Sequence, residues 1–182
     1  YDLLLARPHV DPDAIAVVGS SYGGYLAAIL SARRRIRWLA LRAPALYRDD
    51  GWDVAKQKLN AEQDLQAYRS SLIRPDRNRA LAACNRFRGD LLLVSSEFDE
   101  RIPQTVIRSY RDAADACRSL TVRCIAGADH GLTGTGSQRA YTNILRAWFQ
   151  EMLAGARVRA IATPREDATV PPERPPADPA AA

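Results

Sequence analysis

The segment GSSYG at residues 19–23 contains the residue types that an enzyme needs for attack by a serine hydroxyl. It fits the pattern G-x-S-x-G and follows the apolar run 15–18, so a predicted strand passes directly into a predicted helix. Glycines two positions before and two positions after the serine would let strand and helix approach closely. Ser21 is therefore the candidate nucleophile, and Ser20 is not. The backbone N–H of Tyr22, at a helix N-terminus, would donate to an oxyanion.

A serine hydroxyl needs a general base, and the sequence contains only two histidines. His9 precedes the first predicted strand, which places it at the amino end of a sheet. His130 follows the last predicted strand and would lie at the carboxyl end, at the same edge as Ser21. His130 is therefore the candidate base.

A carboxylate that orients the imidazole and stabilises the imidazolium is expected after the predicted strand 90–96. Glu97, Asp99 and Glu100 are available there. We prefer Asp99 because it falls in the loop after the strand rather than at the strand's edge. Spacing alone leaves Glu97 as an alternative.

Four apolar runs, at 15–18, 38–44, 90–96 and 120–126, alternate with helical patterns. The helical patterns cover about 22–34, about 103–118 and an apolar stripe formed by Tyr141, Ile144, Leu145, Trp148, Phe149, Met152 and Leu153. We interpret the stripe as core rather than as a cofactor site. The alternation predicts an α/β fold with a parallel sheet of about four strands, covered by helices. Functional residues in such sheets lie just beyond the carboxyl ends of the strands.

Residues 45–72 interrupt this alternation with Tyr47, Trp52 and Tyr68 set among charged residues. We expect this segment to form a lid or a substrate wall within a domain that spans residues 1–163. Residues 164–182 are rich in proline and alanine and poor in large apolar side chains, so we expect a disordered tail.

The order Ser21, Asp99, His130 occurs with the segments DPDAIAVVGSSYGGYLAA, LLLVSSEFDERIP and IAGADHGL. Together these resemble the carboxyl-terminal portion of an α/β-hydrolase, especially the dienelactone-hydrolase-like and prolyl-oligopeptidase-like serine hydrolases. The resemblance covers about residues 1–155. It implies Ser21 as nucleophile, Asp99 as acid and His130 as base, with Glu97 and Glu100 as spectators. It also implies hydrolysis of ester, thioester or amide bonds through an acyl-enzyme.

The resemblance implies an eight-stranded sheet in which the nucleophile follows the fifth strand, whereas only fourteen residues precede the run 15–18 here. We therefore expect a partial α/β-hydrolase fold without its amino-terminal strands. The second oxyanion donor would be missing, and loss of one donor costs about 2.7–4 kcal/mol of transition-state stabilisation. The strand at 15–18 would also form an open edge, which favours pairing, for instance in a homodimer.

Three functional hypotheses follow from this partial fold. The chain is a portion of a serine hydrolase that works only when the missing half is restored. It is alternatively a reduced hydrolase that works by itself, or a non-catalytic binding domain derived from an α/β-hydrolase. A small-molecule or peptide substrate is expected for the first two.

Composition argues against other classes of protein. The chain has 182 residues, of which 47% are hydrophobic and 26% charged, as in an ordinary globular domain. The net charge of +5 includes an arginine cluster at 33–37, but this falls at a predicted helix end and no nucleic-acid motif accompanies it. No apolar run reaches the roughly 20 residues that cross a bilayer. We therefore expect a cytoplasmic protein that binds neither nucleic acid nor membrane.

Cofactor motifs are likewise not indicated. Cys84, Cys117 and Cys124 form an odd set without CxxC spacing, which predicts free, mostly buried thiols rather than disulfides or zinc ligands. The glycine-rich segment 131–136 lacks the lysine and the spacing of a phosphate-binding loop, and we interpret it as an active-site loop. We expect no cofactor and no metal.

Overall fold

The computed structural model describes residues 1–50, 54–55, 58 and 64–162, with the backbone alone for 156–162. The elements in chain order are helix α1 (Asp2–Leu5), strand β1 (Ala16–Ser20), α2 (Tyr22–Ser31), β2 (Trp38–Arg42), α3 (Leu65–Ser70), a 3₁₀ turn (Pro75–Arg77), α4 (Arg79–Arg86), β3 (Asp90–Phe98), α5 (Gln104–Ala113), β4 (Ser119–Asp129) and α6 (Thr135–Ala162). Trp52 and the predicted tail at 164–182 lie outside the described residues.

The four strands form one parallel sheet in the order β1-β2-β3-β4. Every residue of β2 is buried, as expected for a central strand with both faces covered. The register places Ser20 opposite Arg42, so β1 and β2 end side by side. The predicted α/β fold with a partial, four-stranded parallel sheet is confirmed.

Two apolar cores cover the two faces of the sheet. On one face, Leu39, Leu41, Leu91 and Leu93 pack with residues of α2, α4 and α5. On the other face, Trp38, Ala40, Leu92 and Val94 pack with α6, whose Trp148 is 3% exposed. The predicted apolar stripe is therefore core, apart from Leu153, which is 45% exposed. Alternation along the strands produces both cores because successive side chains point to opposite faces.

Several boundaries differ from the sequence prediction. The helix predicted at 22–34 ends at Ser31, and the one predicted at 103–118 covers Gln104–Ala113. The structure also contains α3 and α4, which the apolar pattern did not predict. The start of α4 is fixed by Asn78, whose side-chain oxygen accepts from the N–H groups of Ala80 (3.0 Å) and Leu81 (3.2 Å).

The outer strands of this sheet are β1 and β4. Val18 of β1 is 48% exposed, because the helices that cover β2 and β3 leave one face of β1 open.

Among the cysteines, Cys84 is buried and Cys124 is exposed, so the prediction of mostly buried thiols is wrong for Cys124. Within the described residues, no helix combines the length and the apolar character that crossing a bilayer requires.

Candidate active site

Ser21 lies in a strained turn between β1 and α2. Its backbone has φ 53° and ψ −117°, a conformation that costs a residue other than glycine about 1–3 kcal/mol. Three backbone hydrogen bonds hold it there. The Ser21 N–H donates to the carbonyl of Arg42 (2.9 Å), and the Ser21 carbonyl accepts from Tyr25 (3.2 Å) and Ala45 (3.0 Å). Contacts with α2, with the end of β2 and with the segment after β2 therefore hold Ser21 in this strained conformation.

The glycines around this turn have different roles. A Cβ atom on Gly19 would lie 2.4 Å from the carbonyl oxygen of Gly23, so strand and helix meet too closely for any side chain at position 19. A Cβ atom on Gly24 would lie 2.9 Å from Cβ of Pro44. A Cβ atom on Gly23 would have nothing within 4 Å among the described residues. The prediction that Gly23 permits the close approach is wrong, because Gly24 rather than Gly23 lies against Pro44, in the segment after β2.

The structure brings Ser21, His130 and Asp99 together at the carboxyl ends of β1, β3 and β4. The Nε2 atom of His130 lies 3.0 Å from Oγ of Ser21, and Nδ1 lies 2.9 Å from both carboxylate oxygens of Asp99. An ionised carboxylate only accepts hydrogen bonds, so Nδ1 of His130 carries its proton and donates it. Nε2 is then the acceptor that faces the serine hydroxyl.

The Asp99 side chain is 2% exposed and accepts from the backbone N–H groups of Arg101 (3.0 Å) and Ile102 (2.8 Å). Glu97 lies at the end of β3 and accepts from the N–H of Gly127 (2.7 Å) instead. Of the three carboxylates available after β3, Asp99 alone is placed against His130, which excludes the alternative Glu97. The turn Asp99–Ile102 fixes its carboxylate before any substrate binds.

The segment that carries His130 has a tight local structure. Leu132 has φ 52°, and the Asp129 carboxylate accepts from the N–H (2.9 Å) and the hydroxyl (2.6 Å) of Thr133. The hydrogen bonds from Thr133 lower the pKa of Asp129. His9 lies on the exposed segment before β1. Of the two histidines, only His130 contacts Ser21.

A cleft of about 320 Å³ opens beside Ser21. Tyr47, Leu65 and Arg69, from the segment 45–72 predicted as a lid or substrate wall, line this cleft together with Arg101. The described part of the segment 45–72 therefore forms a wall of this cleft. The ring of Tyr47 meets the ring of Tyr22 edge-on, with centroids 5.4 Å apart, and so joins this wall to the start of α2.

A larger cavity, of about 550 Å³, lies at the amino end of the sheet and is lined mainly by arginines. Arg35 and Arg118 in its lining form ion pairs with Asp13 and Asp90. This cavity contains none of the residues around Ser21, and we do not assign it to the active site. The described residues contain no cluster of histidine, cysteine and acidic side chains suited to a metal ion.

Sequence analysis missed Arg42 at this site. Its guanidinium lies between Ser20 and the backbone of His130, and the residue is 6% exposed. The available signal was a single charge within the apolar run WLALRAPA at 38–45. Charged residues at such positions are rarely buried, so the pattern alone favoured solvent contact at the strand's end.

Comparison with known proteins supports the same fold. The chain is similar to the esterase domain of a Rhodothermus marinus protein (TM-score 0.57, 16% identity, 81% of this chain and 64% of that chain). It is also similar to an acylaminoacyl peptidase from Pyrococcus horikoshii (0.55, 19%, 82% and 25%). A third similar structure is the dienelactone hydrolase from Anabaena variabilis (0.54, 20%, 82% and 55%). The chain thus spans about a quarter to two thirds of the length of these proteins.

No curated protein matches the chain at a significant level. The model of the prolyl oligopeptidase family, Peptidase_S9, matches residues 1–156, which includes every strand and the residues around Ser21. The match covers most of the chain and agrees with the parallel sheet and its α/β-hydrolase neighbours. The chain therefore belongs to the prolyl oligopeptidase family of α/β-hydrolases.

Proposed function

We propose that this chain supplies the nucleophile, the base and the acid of a serine hydrolase that cleaves ester, thioester or amide bonds. The observation that carries the proposal is the continuous hydrogen-bonded path from Ser21 through His130 to Asp99, with distances of 3.0 and 2.9 Å. These are the distances at which a base can remove the serine proton while a carboxylate orients it.

In the proposed reaction, Oγ of Ser21 attacks the carbonyl carbon of the substrate as its proton moves to Nε2 of His130. The N–H of Tyr22 donates to the oxyanion that forms. The oxyanion collapses, the bond to the leaving group breaks, and His130 returns the proton to that group. A water molecule then attacks the acyl-enzyme by the same steps, which releases the acid and restores the Ser21 hydroxyl.

The proposed reaction needs hydrogen-bond donors for the oxyanion. Among the described residues, the turn at Ser21 supports one such donor, the backbone N–H of Tyr22. Loss of a single donor commonly lowers kcat about 10²- to 10³-fold. We infer that a second donor comes from outside the described residues, for instance from strands that pair with β1.

The test is intact-mass analysis of the purified chain after treatment with a fluorophosphonate. In this reaction Ser21 Oγ forms a bond to phosphorus, fluoride leaves, and His130 accepts the proton. We expect one adduct on the native sequence and on Ser20→Ala, and none on Ser21→Ala. Equal labelling of Ser21→Ala would overturn the assignment of the nucleophile.

A folded native chain without an adduct would favour the second candidate function, a binding domain. The observation behind that candidate is the open face of β1 with its exposed Val18, a surface suited to contact with another chain.

A further inference from the structure

Arg42, the last residue of β2, occupies an environment that is unfavourable for a charge. It lies on the same face of the strand as Trp38 and Ala40, which belong to the core under α6. No carboxylate of the described residues lies within ion-pair distance of its guanidinium, and its Nη1 atom is buried without a hydrogen-bond partner among them. Burial lowers the pKa of Arg42, which means that the fold disfavours the charged form.

The contacts of Arg42 join the two halves of the candidate site. Its Nε–H donates to the hydroxyl of Ser20 (2.8 Å), and its Nη2–H donates to the backbone carbonyl of His130 (2.8 Å). Its own carbonyl accepts from the N–H of Ser21 (2.9 Å). Arg42 therefore contacts the side chain of Ser20, the backbone of Ser21 and the backbone of His130.

These contacts matter because β1 and β4 are the outer strands of the sheet and are not paired with each other. The position of Ser21 is fixed at the end of β1, whereas His130 follows β4 and reaches across the sheet. On the His130 side, the Asp129–Thr133 hydrogen bonds fix the turn locally but not relative to β1. The Arg42 guanidinium supplies a direct hydrogen-bonded link between the two strand ends.

We propose that Arg42 is a positioning residue that holds the backbone of His130 at hydrogen-bonding distance from Ser21, and that Ser20 anchors its guanidinium. The proposal rests on the proposed function of Ser21 and His130. It also gives Ser20, which the motif left without a role, a defined place in the site.

The first measurement is the rate of fluorophosphonate labelling of Ser21, together with kcat and KM on an activated ester. Arg42→Met removes both side-chain hydrogen bonds while keeping most of the apolar volume. We expect labelling and kcat to fall about 10- to 100-fold, the effect of losing hydrogen bonds from a charged donor, with KM nearly unchanged. Arg42→Lys, which can reach one acceptor, should recover part of the rate. Low concentrations of guanidinium should partly rescue Arg42→Ala.

The second measurement is the NMR spectrum of the histidine rings, which is simple because the chain has only His9 and His130. We expect the His130 ring signals to shift or broaden in Arg42→Met and in Ser20→Ala, while the His9 signals stay unchanged as an internal reference. The matched control is Arg37→Met, which removes the guanidinium of the residue just before β2, at the end of that strand opposite to Arg42. It should leave the His130 signals and the labelling rate as they are.

Unchanged His130 signals in Arg42→Met would overturn the proposal, whatever happens to the rates. If that variant does not fold, Ser20→Ala and Arg42→Lys decide in the same way. A native chain that the probe does not label would count against the proposed function of this chain alone. The ring signals would still show whether Arg42 positions His130.

Discussion

At Ser21 the backbone takes a conformation that a residue other than glycine rarely adopts, and two further residues near the site do the same. Ala43 has φ 39° beside Arg42, and Leu132 has φ 52° two residues after His130. Such strain persists only where surrounding contacts enforce it, and it concentrates at functional sites. The three strained residues all lie at the carboxyl ends of strands, where the candidate nucleophile and base are found.

The choice between Asp99 and Glu97 provides a test at the residue scale. We expect Asp99→Asn to lower labelling of Ser21 by up to about 10⁴-fold, because the amide NH2 donates to Nδ1 of His130, which moves the ring proton to Nε2 and leaves no acceptor for the Ser21 proton. Glu97→Gln is the matched control, since its carboxylate contacts the N–H of Gly127 rather than His130. The rate of labelling at pH 7 measures both. An equal loss in the two variants would contradict the assignment of Asp99.

The junction of β1 and α2 provides a test at the element scale. We expect Gly19→Ala to lower the free energy of unfolding by about 1–3 kcal/mol, because the new Cβ would meet the carbonyl of Gly23. Gly23→Ala should be neutral or stabilise by up to about 1 kcal/mol, because it adds a better helix former in open space. Urea denaturation of both variants compares them directly. Equal destabilisation would show that position 23 is also crowded.

Helix α4 depends on its first turn in a similar way. Asn78 is 2% exposed, caps α4, and donates to the carbonyl of Tyr47 (2.8 Å) and to the hydroxyl of Tyr68 (3.1 Å). Asn78→Ala should cost about 2–4 kcal/mol, because it removes a cap and leaves a buried carbonyl without its donor. The exposed cap of α3 is the control, and Asp64→Ala should cost about 1 kcal/mol. Thermal melts should rank the two variants in this order.

At the scale of the whole molecule, the open face of β1 invites association. We propose that this exposed surface of β1, an outer strand of the sheet, contacts a second copy of the chain. Val18→Lys should prevent self-association, because a lysine on an exposed outer strand disfavours an apolar contact. Val122→Lys on β4, the other outer strand, is the control, since Val122 is 38% exposed. Sedimentation over a range of concentrations measures both, and a native chain that stays monomeric throughout would argue against a homodimer.

The sequence by itself determined the fold class and the candidate residues of the site. Apolar runs of strand length that alternate with helical patterns leave few arrangements other than a parallel sheet, and parallel strands place their carboxyl ends together. Ser21 and His130 could therefore be selected from the motif and from the scarcity of histidine. Helix α4 escaped prediction because its eight residues are too few to show a clear apolar pattern. The buried side chain of Asn78, which caps the helix, is visible only in the structure.

Only the tertiary structure decided the contacts among these residues. Asp99 and Glu97 are two positions apart in the chain, and the bend after Phe98 determines which of them meets His130. The role of Arg42 was equally hidden, because its partners lie 22 and 88 residues away along the chain. Periodicity reports the face on which a side chain lies. It does not report which distant backbone atom that side chain will meet, since this depends on the packing of the whole sheet.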